Sequence, residues 1–139
     1  MVRKRPISTI MTHQVISLNI DDTLEKAKHL FKIHNIRHIP VVSRDALLGI
    51  ISYTDLLRIN FDDAFEEKGD TREAMVDNLL TIGQVMTRKI VSVNTSNTIK
   101  EVAEIFKKQP FHALPVVDDN KLVGIVTTTD LINYLLNKF

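Results

Sequence analysis

The spacing of apolar positions changes period several times along this chain, and each change predicts an element. "HIPVVS" and "LLGIIS" are short, nearly continuous apolar runs rich in β-branched residues, which predicts buried strands. The proline near the start of the first run sits where a missing N–H is tolerable. The polar "SRDA" between the runs predicts a hairpin turn. Upstream, "QVISL" predicts a further short strand. Asp22 then reads as a helix N-cap, with Glu25 three residues on as in a capping box. Leu24, Ala27, Leu30, Phe31 and His34 follow at helical spacing. A last helix begins at "TDLLRI". The order is β-α-β-β-α.

The pattern is then written a second time. When Ile7 is laid on Ile82, "ISTIMTHQVISLN" falls on "IGQVMTRKIVSVN", and "HIPVVSRDALLGIISYTDLL" falls on "ALPVVDDNKLVGIVTTTDLI". No gap is needed as far as Asn60 and Leu135. Met11/Met86, Pro40/Pro115, Gly49/Gly124 and Asp55/Asp130 are identical pairs. A long ungapped self-match is the mark of a duplicated unit. "KIVSV" is the matching strand, Asn97 the matching cap, and Ile99, Val102, Ala103 and Phe106 the matching helix face. One unit has a single apolar sheet face and few helices, too little to bury a core alone. The expected fold is therefore α+β (mixed α/β), two β-α-β-β-α repeats packed sheet to sheet with pseudo-two-fold symmetry. The repeats occupy residues 7–60 and 82–139. The acidic connection, 61–81, carries a helix capped by Asp70, with Met75, Val76 and Leu79 on one face. That helix is read first as a spacer, and otherwise as a contact between chains or a lid.

Composition narrows the chemistry. The chain has 139 residues, is 44% hydrophobic and carries a net charge of +1, which fits one soluble unit and gives no basic face for nucleic acid. The basic "VRKRP" start is followed by no apolar stretch of the kind a secretory signal needs, and no run is long enough to span a membrane. There is no cysteine, so disulfides and thiolate chemistry are excluded. A cytoplasmic location is expected. His13, His29 and His34 lack the carboxylate pairing of a metal site and are read as surface or partly packed residues; no metal is expected.

The chemistry lies in the repeated ending. "GIISYTD" and "GIVTTTD" place Ser52, Thr54 and Asp55, and again Thr127, Thr129 and Asp130, where a strand gives way to a helix. Such residues can be plain N-caps. The same set can also grip a nucleotide. Hydroxyls and helix N–H groups suit phosphate, and a carboxylate accepts from both hydroxyls of a ribose. Arg37 and His112 hold equivalent places before the second strand of each repeat and can carry positive charge toward a phosphate.

Taken together, "IMT…VIS…DDTLEKAKHLF…IRHIPVVSRDALLGIISYTDLL" resembles the cystathionine-β-synthase (CBS) domain, and "VMT…IVS…SNTIKEVAEIF…FHALPVVDDNKLVGIVTTTDLI" resembles a second one. The resemblance covers nearly the whole chain. It implies a compact module with two clefts between the repeats that take AMP, ADP or ATP, and in some members S-adenosylmethionine. By resemblance, Asp55 and Asp130 bind ribose. Ser52, Thr54, Thr127, Thr129, Arg37 and His112 contact phosphate or ribose. Ser17, Ile36 and His38, with Ser92, Phe111 and Ala113, lie about the adenine. Asp55 is expected to share a cleft with the Phe111 segment, and Asp130 with the Ile36 segment. Pro110-Phe111 replaces Asn35-Ile36 in the second copy, so the two sites need not bind alike. Pairing of two chains into a homodimer is also implied.

A regulatory nucleotide-binding module without catalysis is the leading reading. The alternative is a non-catalytic interaction or scaffold domain with weak or no ligand binding. An enzyme is not expected: there is no Gly-rich phosphate loop, and each Asp is accounted for by its own repeat.

Overall fold

The computed structural model describes residues 5–63 and 80–139. The helix expected around Met75, Val76 and Leu79 lies outside the described residues. The protein is mixed α/β, and it divides into two compact units that are not simply the two repeats. One contains Ile16–Ile90, the other Met1–Val15 with Val91–Phe139.

In the unit of residues 16–90, β1 (Leu18–Asn19) leads to α1 (Leu24–His34), β2 (His38–Ser43), β3 (Ala46–Ser52), α2 (Tyr53–Asp63) and the short α3 (Ile82–Val85). β1 runs parallel to β2, and β2 is antiparallel to β3. Leu18, Leu24, Ala27, Phe31, Ile39, Val41, Ile51 and Leu56 form the buried core, completed by Ile82 and Met86. In the other unit a 3-10 turn at Ile7–Thr9 precedes β4 (Val93–Asn94), α4 (Ile99–Lys108), β5 (Ala113–Asp118), β6 (Lys121–Thr127) and α5 (Thr128–Leu136). β4 is parallel to β5, and β5 antiparallel to β6. Its core joins Ile7 and Met11 to Val93, Ile99, Val102, Leu114, Val116 and Val126.

Each unit thus borrows the segment that opens the other repeat. Thr12 and Ile125 exchange two backbone hydrogen bonds, of 2.8 and 3.0 Å, and Thr87 and Ile50 do the same at 2.8 and 3.1 Å. The borrowed strap lies so close to the sheet that a Cβ at Gly124 would stand 2.5 Å from the Met11 sulfur. One at Gly49 would stand 2.7 Å from the Thr87 carbonyl oxygen. Glycine is required at both places because backbone and thioether occupy the space of a side chain.

Three local expectations are corrected. The strands read in "QVISL" and "KIVSV" shrink to two residues each, because only Leu18–Asn19 and Val93–Asn94 meet a neighbour in register. The caps of α1 and α4 are Thr23 and Thr98, whose hydroxyls accept from Lys26 and Glu101 N–H groups. Asp22 and Asn97 turn back instead and accept from the N–H groups of Asn19 and Asn94, closing the preceding turn. The capping box is correspondingly Thr98–Glu101 rather than one led by Asp22. The helices also end differently. Asn35 stops α1 in the left-handed conformation (φ 51°, ψ 42°), whereas Gln109 stops α4 extended, as the following Pro110 demands.

Candidate functional site

The strand-to-helix junctions have the same construction in both units. Ser52 caps α2: its hydroxyl accepts from the Asp55 N–H (3.0 Å), and Asp55 Oδ2 accepts from the Ser52 N–H (3.1 Å). Thr127 and Asp130 repeat this at 3.1 and 2.9 Å. These are reciprocal capping boxes, and the negative charge in the first turn is favoured by the helix dipole. The structural role of the motif is therefore shown.

That role leaves chemistry over. A hydroxyl that accepts from an N–H still has its own proton to donate. Each carboxylate spends Oδ2 on the cap and keeps Oδ1. Asp55 Oδ1 lies 3.8 Å from the guanidinium of the exposed Arg58, too far for a direct hydrogen bond. Thr54 and Thr129 are exposed at the second position of their helices, where N–H groups lie outside the helical ladder. Each junction can thus offer hydroxyl and amide donors beside one carboxylate acceptor.

The segments before β2 and β5 come to the same place. Tyr53 N–H donates to the Arg37 carbonyl (2.9 Å), and Thr128 N–H to the His112 carbonyl (3.0 Å). His38 pairs with Ser52 across the β2–β3 ladder, and Ala113 with Thr127 across β5–β6. Within each unit, then, Ile36–His38 or Phe111–Ala113 adjoins the capping box of that same unit. Ile36 is half-buried, while Arg37 and His112 are exposed. Phe111 packs partly against its own unit's core, and Ala113 is buried. Ser17 and Ser92 are exposed immediately before β1 and β4. Among the described residues, no three His, Asp or Glu side chains gather as metal ligands. No helix among them is long and apolar enough to cross a membrane.

One feature escaped the sequence reading. Between α1 and α2 lies a cavity of about 590 Å³, whose walls include Lys28, Lys32, Asn35, Arg37, Tyr53 and Leu57. The available signals were two lysines one helical turn apart and a tyrosine at Tyr53 where the second repeat has Thr128.

Comparisons with known proteins agree with this construction. The CBS domain family model matches the chain twice, over residues 7–62 and 82–137. The CBS domain-containing protein YhcV of Bacillus subtilis is 29% identical over 133 residues, which span 95% of this chain and 87% of that one. Several other curated relatives are longer, and the chain spans less than half of their length. The AcuB structure from Vibrio cholerae superposes with a TM-score of 0.82 at 30% identity, covering 98% of this chain and 93% of that chain. The CBS domain pair of protein MJ0100, in complex with 5′-methylthioadenosine and S-adenosyl-L-methionine, superposes with a TM-score of 0.77 at 26% identity, covering 99% and 100%.

Proposed function

Because this chain belongs to the CBS domain family, we propose that it is a regulatory, non-catalytic module that binds an adenosine-containing ligand. AMP, ADP and ATP are the first candidates, and S-adenosylmethionine the next. The observation that carries this reading is the duplicated capping box. Ser52 with Asp55, and Thr127 with Asp130, set a hydroxyl donor beside a carboxylate with one oxygen to spare. Vicinal ribose hydroxyls donate to that oxygen, while the cap hydroxyl and first-turn N–H groups donate to a phosphate or sugar oxygen. Arg37 and His112 supply charge to phosphate. Ser17, Ile36, His38, Ser92, Phe111 and Ala113 contribute to base binding. The adenosine compounds bound by the MJ0100 pair support the ligand class.

A second reading rests on the same boxes. If Asp55 and Asp130 serve only as caps, the module is an interaction domain without a ligand. Thermal shift and calorimetry with AMP, ADP, ATP and S-adenosylmethionine decide between them, because a ligand that binds the folded state raises its midpoint. A shift with at least one of these compounds is expected. No shift, together with no adenosine compound in a mass spectrum of the purified protein, favours the interaction domain. Prolonged incubation should return the nucleotide unchanged; turnover would overturn the non-catalytic assignment. The proposed setting is cytoplasmic, and the proposed partner a second copy of the chain. α5 exposes Ile132, Leu135 and Leu136, and Asp130 is its one charged residue. A helix so poor in charge suits a like surface better than a charged one.

A further inference from the structure

The cavity between α1 and α2 shares Ile36, Arg37 and Tyr53 with the strand-to-helix junction of its unit. A second cavity, of about 620 Å³, lies between α4 and α5 and includes none of the residues given to the nucleotide. We propose that this second cavity is a site for a small zwitterion with an apolar body, the chemistry of a free apolar amino acid. Its volume falls in the range of small-molecule sites and leaves room for an aromatic side chain. The walls are apolar. Ile99 is a buried core residue, Leu131 and Tyr134 pack partly against the same core, and Ala103 and Leu135 continue the surface. The Lys138 ammonium stands 5.1 Å from the centroid of the Tyr134 ring, a cation–π contact that helps to hold the ring in place.

The charges select the ligand. Arg5 and Lys100 line the cavity together with Glu101 and Glu104, so the signs balance. A ligand of either net charge gains from one pair and loses to the other, whereas one carrying both signs gains from each. Among the described residues, no ion pair occupies Arg5, Lys100 or Glu104. Glu101 has a structural task, because its Oε1 accepts from the Thr98 N–H at 2.8 Å. Glu104 is therefore the acid that meets an ammonium. Arg5 is set at the rim by its backbone, whose carbonyl accepts from the Ile99 N–H at 2.9 Å. Lys100 lies in the first turn of α4, and Glu104 follows one turn on, about 5.4 Å along the axis. The ligand's carboxylate belongs beside Arg5 and Lys100, where the N-terminal end of α4 also favours negative charge. Its ammonium belongs beside Glu104.

The test is calorimetric titration with L-phenylalanine, and with phenylacetate and phenethylamine, which each keep one of its charges. Wild type is expected to bind L-phenylalanine saturably and each analogue about tenfold more weakly, since hydrogen bonds to a charged group are lost. Glu104→Gln should weaken L-phenylalanine by a similar factor and spare phenylacetate. Arg5→Gln should weaken L-phenylalanine and phenylacetate and spare phenethylamine. Lys107→Gln, on α4 but outside the cavity, should change nothing, and saturating AMP should not compete. No saturable binding, equal binding of the three probes, equal binding by the Glu104 and Lys107 variants, or displacement by AMP would each overturn the site. Leu135 also belongs to the α5 face offered to a second copy. Binding seen only in Leu136→Glu would assign the groove to that contact and remove the ligand. If AMP fails to bind while L-phenylalanine still depends on Glu104, the nucleotide reading falls and this site stands.

Discussion

Under the proposed function Asp55 and Asp130 each have two measurable tasks, and replacement by Ala does not separate them. Replacing either by Ala removes the acceptor for the cap residue's N–H, which should cost about 0.5–2 kcal/mol of stability. It also removes a charged acceptor from the ribose hydroxyls. Hydrogen bonds to charged groups contribute about 1.5–3 kcal/mol, so affinity should fall roughly tenfold to a hundredfold or more. Asn parts the two effects, because its carbonyl oxygen can still cap but carries no charge. Asp55→Asn and Asp130→Asn are expected to melt near wild type yet bind nucleotide more weakly. Calorimetry beside melting curves checks this, and undiminished affinity in both Ala variants would remove the ribose role. The glycines give a second contrast at this scale. At Gly49 the atom nearest an added Cβ is the Thr87 carbonyl oxygen, at 2.7 Å; at Gly124 it is the flexible Met11 thioether, at 2.5 Å. Backbone yields less readily than a methionine tip. Gly49→Ala should therefore lose more stability than Gly124→Ala, within the overpacking range of about 1–3 kcal/mol. Denaturant midpoints with equal losses would contradict the strap geometry.

Elements were legible where their signal is local. The alternation of β-branched runs with helical spacing located β2, β3, β5, β6 and the helices around them, since those patterns depend on each segment burying one face. Caps slipped by one position at Asp22 and Asn97, because a carboxylate or amide can close the turn behind it as well as the helix ahead. Tyr53 and Lys28 have no counterpart in the second repeat, where Thr128 and Ala103 stand, so the duplicated pattern does not mark them. The exchange of opening segments was not legible at all: periodicity shows that "ISTIMTH" is apolar on one side, not which sheet it covers. That exchange makes a sharp prediction. Ile7 is fully buried in the core built on β4–β6, although by sequence it opens the first repeat. Ile7→Ala should cost about 2–5 kcal/mol. In hydrogen exchange, the amides of β5 and β6, Ile125 among them, should lose more protection than those of β2 and β3. The reverse order would mean that each opening segment serves its own repeat.

For the whole molecule, duplication supplies two junctions of one design, and the differences between copies decide what each can do. Arg58 stands near Asp55, whereas the matching position beside Asp130 is Asn133, which carries no charge. Asn35-Ile36 likewise faces Pro110-Phe111. Self-association is the remaining property at this scale, and α5 is where it can be tested. Ile132 and Leu135 are each 54% exposed and Leu136 64%, an apolar stretch of helix that leaves its burial incomplete. If a second copy covers it, Leu136→Glu places a carboxylate against apolar side chains with no partner, a cost that dissociates an interface. The position is already exposed in the single chain, so the fold should survive, with an unchanged circular dichroism spectrum and melting midpoint when measured well below the dissociation concentration. Sedimentation equilibrium should give a dimer for wild type and a monomer for Leu136→Glu. A conservative Leu136→Met should keep the dimer, because it preserves volume and apolarity. Should Leu136→Glu sediment as wild type does, this face lies outside any contact between copies. Dimers that assemble elsewhere would then leave α5 open to solvent.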